Sequence, residues 1–233
     1  SIDQGALDMP VHETKFDDQV LTLEMPAIRG RFVGTMTADQ STIDGVWSQG
    51  QQIPLVLKRV AKATEIRRPQ HPIRPFPYQE IEVVFHYDPA GGSGSITLTS
   101  DRALAATTLI TLAGTLTLPK SDGPHAIAVM ATGSGQQNRD EEIYNHRPFL
   151  VISDALTRRG IGVLRLDDRG VGGSIGDVQN ATTKDFAQDI AAAVTFLKSR
   201  ADVDAKRIGI IGHSEGGLIA SIVAAADPSI AFC

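Results

Sequence analysis

The segment running from Arg207 through Gly212-His213-Ser214-Glu215-Gly216 into Ala226 narrows the fold of this chain more than any other. Residues 208–211 are a short apolar run, as in a strand buried on both faces. Residues 218–226 are Leu, Ile, Val, Ala and one Ser, and read as a helix. The strand must therefore give way to a helix within five residues, with Ser214 at the apex. Such a turn brings neighbouring backbones too close for a Cβ, which explains Gly212 and Gly216; Gly217 adds tolerance for packing of the helix. A serine at that apex exposes its hydroxyl beside the free N–H groups of a helix N-terminus.

The rest of the chain divides into two rhythms. Residues 20–24, 31–35, 43–47 and 54–58 read as short strands between turns, so residues 1–66 are expected to form a small antiparallel β module. Pro69, Pro72, Pro75 and Pro77 follow, each biasing its predecessor to extended backbone. Residues 88–95 are rich in Gly and Ser. Residues 67–107 are accordingly read as linker and loop. From 108 onward apolar runs at 111–119, 126–131, 161–166 and 207–211 alternate with helical patterns at 146–159, 183–199 and 218–226. Gly160 suits a helix C-cap. This alternation implies an α/β fold over 108–233: a parallel-type sheet with helices on both faces.

Bulk properties exclude more than they select. Lys and Arg number 22 against 27 Asp and Glu, a net charge of −5 that offers no general attraction to nucleic acid. The one basic cluster, Lys58, Arg59, Lys62, Arg67 and Arg68, reads as a solvated linker face. No run of about 18 apolar residues exists to span a membrane. Cys233 stands alone, so there is no internal disulfide framework. No motif calls for a metal or cofactor, and nothing sets an oligomeric state.

The chemistry follows from the turn. Ser214 is placed as a nucleophile, and the N–H of Glu215 as one donor to the oxyanion of an acyl-transfer intermediate. A second donor should come from a loop after an earlier strand, and Gly133-Ser134-Gly135 stands there, with Ser134 N–H as the candidate. A dinucleotide site is the rival, since Asp167 ends the next strand. Against it, Asn138 stands where the third glycine belongs, and the loop stays polar through Glu142. Asp167, Asp168 and Arg169 read as a salt-bridged loop that shapes the oxyanion segment without touching substrate. Arg139 and Asp140 could order the mouth of the site in the same way or be solvated. His213 is read as packing, and His125 and His146 as surface or capping residues.

At these residues the chain resembles a known group. Residues 133–140 look like the glycine-serine-glycine oxyanion segment, followed by Arg-Asp, of bacterial α/β-hydrolase serine esterases. Asp167-Asp-Arg-Gly-Val-Gly-Gly-Ser174, with Asp167, Arg169 and Gly170, is similar to the Asp-x-Arg-Gly-x-Gly-x-Ser loop common across that fold, and 212–217 completes the set. The resemblance covers about 110–233. It implies hydrolysis of a small-molecule carboxylic ester through an acyl-enzyme. Residues 1–60 are more weakly similar to the small β domain preceding such hydrolases in exported bacterial proteins, notably at 1–6 and 45–49. An exported location is implied by that resemblance alone.

The serine needs a base and an orienting acid, which in this fold follow it in chain order. Beyond Gly216 the chain has one acid, Asp227, and no histidine; all six histidines precede Ser214. Residues 229–233 look like the opening of another strand. The expectation is a fragment truncated at both ends, unstable and inactive alone, whose parent is a serine carboxylesterase. The alternatives are a serine peptidase of the same fold and a non-catalytic binding protein that keeps it.

Overall fold

The computed structural model describes residues 11–61, 68–89, 109–143 and 145–233. The expected similarity at 1–6, much of the Gly/Ser-rich segment at 88–95, and Lys62 and Arg67 of the basic cluster lie outside them. The chain forms two compact units, Ser1–Arg67 and Arg68–Cys233.

The first unit is an antiparallel meander of five strands, β1 (Glu13–Asp17), β2 (Val20–Met25), β3 (Gly30–Met36), β4 (Thr42–Gln49) and β5 (Gln51–Lys58), paired in chain order. Alternation puts Leu23, Phe32, Trp47 and Ile53 in one cross-strand row. Phe32 and Trp47 are its buried centre.

The second unit contains β6 (Gln79–Tyr87), β7 (Ile110–Leu118), β8 (His125–Ala131), α1 (Pro148–Thr157), β9 (Gly162–Leu166), α2 (Thr183–Lys198), β10 (Val203–Gly212) and α3 (Glu215–Ala226). Its sheet runs β10-β8-β9-β7-β6. Strands β8, β9 and β10 are parallel, whereas β7 is antiparallel to β9 and β6 to β7. The sheet is thus mixed where sequence periodicity suggested a parallel type. The stretch 67–107, expected as linker and loop, contains β6, whose Val83, Phe85 and Tyr87 are buried in the sheet's core. The prolines before it end at Pro77 and leave 79–87 free to pair.

Chain order around β8 positions the site. The path β8–α1–β9 adds a strand on one side of β8, and β9–α2–β10 crosses back to add one on the other. Crossovers of one hand then require α1 and α2 on opposite faces. The core agrees: Ile127, Val129 and Ala131 face Ala193, Leu197, Ile219 and Val223 of α2 and α3, whereas Ala128 and Met130 face Phe149 of α1. The chain leaves β8 towards α1 and leaves β10 towards α3, so adjacent strands send their next segments to opposite faces. The crevice at their carboxyl ends is where open α/β sheets bind ligands. After α3, Ala231 N–H donates to Ile208 O (2.8 Å) and Ile210 N–H to Phe232 O (3.0 Å), so 231–232 lie along β10. Phe232 covers Gly209, whose missing Cβ makes room for the ring.

Candidate active site

The turn between β10 and α3 has the geometry the sequence demanded. Ser214 has φ 53° and ψ −116°, a backbone that residues with a Cβ rarely adopt. A Cβ on Gly212 would strike the backbone of Gly216, and one on Gly216 the carbonyl of Ala131, so neither position accepts a larger residue without moving main chain. Gly217 differs from expectation: a Cβ there meets nothing within 4 Å, and packing does not require a glycine.

The helix start also sets the free donors. Gly216 N–H turns back to His213 O (2.8 Å) and Gly217 N–H to Ser214 O (3.0 Å). Glu215 N–H has no acceptor among the described residues, as an oxyanion donor should. The loop after β8 lies against the serine, since a Cβ on Gly133 would stand 3.3 Å from Ser214 Cβ. Gly133 N–H is committed to Glu141 Oε1 (2.6 Å), which leaves Ser134 N–H as the loop's candidate donor. Gly135 follows at φ 99°. The Glu215 side chain accepts from Thr183 Oγ1 (2.6 Å); this bond, and a second from the Ser134 side chain, hold its carboxyl below the usual range.

Asp167, Asp168 and Arg169 are neighbours in sequence with different partners. Asp167 accepts from Arg139 N–H (2.9 Å), from the Arg139 guanidinium (3.2 and 2.8 Å) and from Gly173 N–H (3.1 Å). Burial alone would raise its pKa, but these donors outweigh it and keep the group below the ordinary value. Asp168 takes Thr132 Oγ1–H (2.6 Å) and Gln137 N–H (2.9 Å), clasping both arms of the loop after β8. Burial dominates there, with the charges of Asp189 and Glu141 adding to it, and lifts its pKa to about 6. Arg169 forms a bidentate pair with Asp189 (2.8 and 3.0 Å), and Tyr87 donates its hydroxyl to the same carboxylate (2.7 Å). Gly170, at φ 76°, turns the chain after it. The loop is further tied to β9 by an ion pair from Asp140 to buried Arg165. Burial pulls the Arg165 pKa down against the opposing charge of Asp140.

The structure brings together Ser214, Glu215, Gly133 and Ser134; Asp167 is tied to the loop after β8 through Arg139, whereas Arg169 pairs with Asp189 and Tyr87. It differs over His213, which is exposed (68% of its side chain) and bonded through Nδ1 to Glu141 Oε1 at 2.9 Å, so it does not pack in the core. His146 stacks on His71, and His125 starts β8 at the opposite end of the strand from the turn. Among the described residues nothing hydrogen-bonds the Ser214 hydroxyl, and no three metal-ligating side chains gather. No described helix is long and apolar enough to cross a membrane. Glu141, Asp189, Tyr87 and Arg165 were not anticipated; each makes its contact 20 or more residues away in the chain, apart from the Glu141 bond to Gly133.

This combination of mixed sheet, switch-point crevice and serine turn is that of the α/β-hydrolase fold, and comparison with known proteins agrees with that fold. Residues 147–232 match the family model for serine aminopeptidases of the S33 type. The chain is 34% identical over 113 residues to esterase EstD of Thermotoga maritima, covering 48% of this chain and 27% of that protein. It is 33% identical over 130 residues to YtaP of Bacillus subtilis, named as a hydrolase, covering 49% of this chain and 44% of that one. The matches thus span less than half the length of either relative. Among solved structures, the Pseudomonas aeruginosa protein PA2218 superposes with a TM-score of 0.50 at 24% identity, covering 69% of this chain and 43% of that one. That likeness bears on fold alone.

Proposed function

We propose that the protein is a serine hydrolase of carboxylic esters that works through an acyl-enzyme on Ser214. The observation that carries this reading is the strained turn at Ser214, with the Gly133–Ser134 segment set against it. A base takes the Ser214 hydroxyl proton as Oγ adds to the ester carbonyl carbon. Negative charge builds on the carbonyl oxygen, where Ser134 and Glu215 N–H groups receive it. Collapse breaks the ester C–O bond, and the alcohol leaves with the proton. Water then repeats the addition at the acyl-serine and releases the acid. The base and its acid are assigned to residues other than 1–233, because no described histidine engages Ser214.

The test uses the full-length protein. Wild type should turn over p-nitrophenyl acetate and be labelled by a fluorophosphonate probe. Ser214→Ala should abolish labelling and lower kcat by about 10⁴-fold or more. Absence of labelling in wild type would favour a binding protein that keeps the fold. Residues 1–233 expressed alone should hydrolyse the ester no faster than their own Ser214→Ala variant, and a Ser214-dependent burst would sink that part. The match of 147–232 to the serine aminopeptidase family supports a second reading, peptidase activity at the same serine. A higher kcat/KM for aminoacyl amides than for esters would favour it.

A further inference from the structure

One buried side chain holds the turn and the oxyanion loop together. Glu141 is 5% exposed, and its Oε1 accepts both Gly133 N–H at 2.6 Å and His213 Nδ1–H at 2.9 Å. Gly133 is the residue before Ser134, and His213 the residue before Ser214. A single oxygen therefore links the donor segment directly to the residue before the nucleophile. The bond to Gly133 matters because glycine has no Cβ to restrict φ and ψ. The direction of the following Ser134 N–H is therefore sensitive to where Gly133 is anchored. Glu141 itself is held at φ 51° by the loop around it, a conformation glutamate does not choose unaided.

We propose that Glu141 is a positioning residue for acyl transfer at Ser214, acting through Gly133 on the aim of Ser134 N–H and through His213 on the turn. This rests on the serine-hydrolase reading above. Glu141 touches neither substrate nor reacting atoms. Its loss weakens transition-state binding and leaves ground-state binding intact, so the effect belongs in kcat. A carboxamide still offers one oxygen to both donors, so glutamine preserves the arrangement.

The experiment measures p-nitrophenyl acetate kinetics on full-length wild type, Ser214→Ala, Glu141→Ala, Glu141→Gln, His213→Ala and the Glu141→Ala/His213→Ala double variant. Glu141→Ala should lower kcat by about 30–300-fold with KM within about 3-fold, in the range of a lost oxyanion donor, while Glu141→Gln stays within about 5-fold of wild type. His213→Ala, which removes an exposed ring, should lower kcat by about 5–20-fold, and the double variant should fall no further than Glu141→Ala. An unchanged kcat in Glu141→Ala overturns the proposal, as does an equal fall in Glu141→Ala and Glu141→Gln. If Glu141→Ala does not fold, His213→Ala decides, and unchanged kcat there overturns it. Activity of Ser214→Ala equal to wild type marks instead the failure of the serine reading.

Discussion

Replacing Ser214 by glycine should stabilise the protein relative to replacing it by alanine, because only the first substitution relieves the backbone. At φ 53° and ψ −116° the Cβ of any L-residue is crowded. Strain of this kind costs of the order of 1–3 kcal/mol. Glycine gives back part of the gain, since its unfolded chain has more freedom to lose, about 0.5–1 kcal/mol. The Cβ itself contributes little, as Ser214 is exposed and buries no methyl when alanine replaces it. The balance, about 0–2.5 kcal/mol, centres on Ser214→Gly being more stable than Ser214→Ala by about 1 kcal/mol. The comparison excludes chemistry, since neither variant has a hydroxyl. Urea unfolding of both full-length variants measures it, with equal m-values as the check that the denatured states match. Ala225→Gly in α3 serves as a control of opposite sign, since at that exposed helical position glycine should cost about 1 kcal/mol. A Ser214→Gly variant no more stable than Ser214→Ala would refute the claim that the turn stores strain.

Two further outcomes concern the supports of the site. The Asp168 carboxyl titrates near 6 in the folded protein against 3.8 as the ordinary value, so the folded state holds a proton that the unfolded state has released. Stability therefore falls as pH rises from about 4 to about 6; wild type should lose about 2–3 kcal/mol relative to Asp168→Asn over that window, and a pH-independent difference would refute it. Arg169→Met should cost about 3–5 kcal/mol in urea unfolding, because Asp189 keeps only the Tyr87 hydroxyl among its described donors, while Arg169→Met/Asp189→Leu should recover most of the loss. A mild single variant, or a double variant as unstable as the single, would show that the pair is not held as a buried unit.

What the sequence made legible depended on how local the physics was. The turn at 212–216 could be read because its constraint is steric and acts within five residues: a strand, a crowded serine, a helix, and glycines where backbones meet. The alternation of strands and helices from 108 to 226 could be read because burial on both faces leaves continuous apolar runs. Strand β6 could have been seen as well, since Ile81, Val83, Phe85 and Tyr87 alternate with outward positions, but the prolines just before it dominated the local reading. Its direction, and that of β7, could not be read, because period-two patterning is the same for either sense of pairing.

The supports of the site were illegible for a different reason. Asp167, Asp168 and Arg169 were recognisable as a charged loop, yet their roles separate only in three dimensions. Asp167 reaches Arg139, Asp168 reaches Thr132 and Gln137, and Arg169 reaches Asp189 and Tyr87, the latter 82 residues away. Consecutive residues leaving a strand end diverge in direction, so three neighbours can grip three elements at once. That divergence explains why the loop is dense in charge although none of its side chains is assigned to chemistry. The oxyanion segment is a glycine-containing loop with little apolar side chain of its own to bury, so its position has to come from directional bonds. Asp168 holds it from the β9 end, Arg139 and Asp140 fasten its far arm to Asp167 and Arg165, and Glu141 holds it to the serine turn. A carboxylate accepts two or more donors at fixed angles and suits this task better than an apolar contact, which resists separation but sets no orientation. Placing such groups around a nucleophile also sets their charges near the reaction. Pairing each carboxylate with a cation or with N–H and O–H donors limits that effect at the Ser134 and Glu215 N–H groups, the proposed donors to the charge that develops.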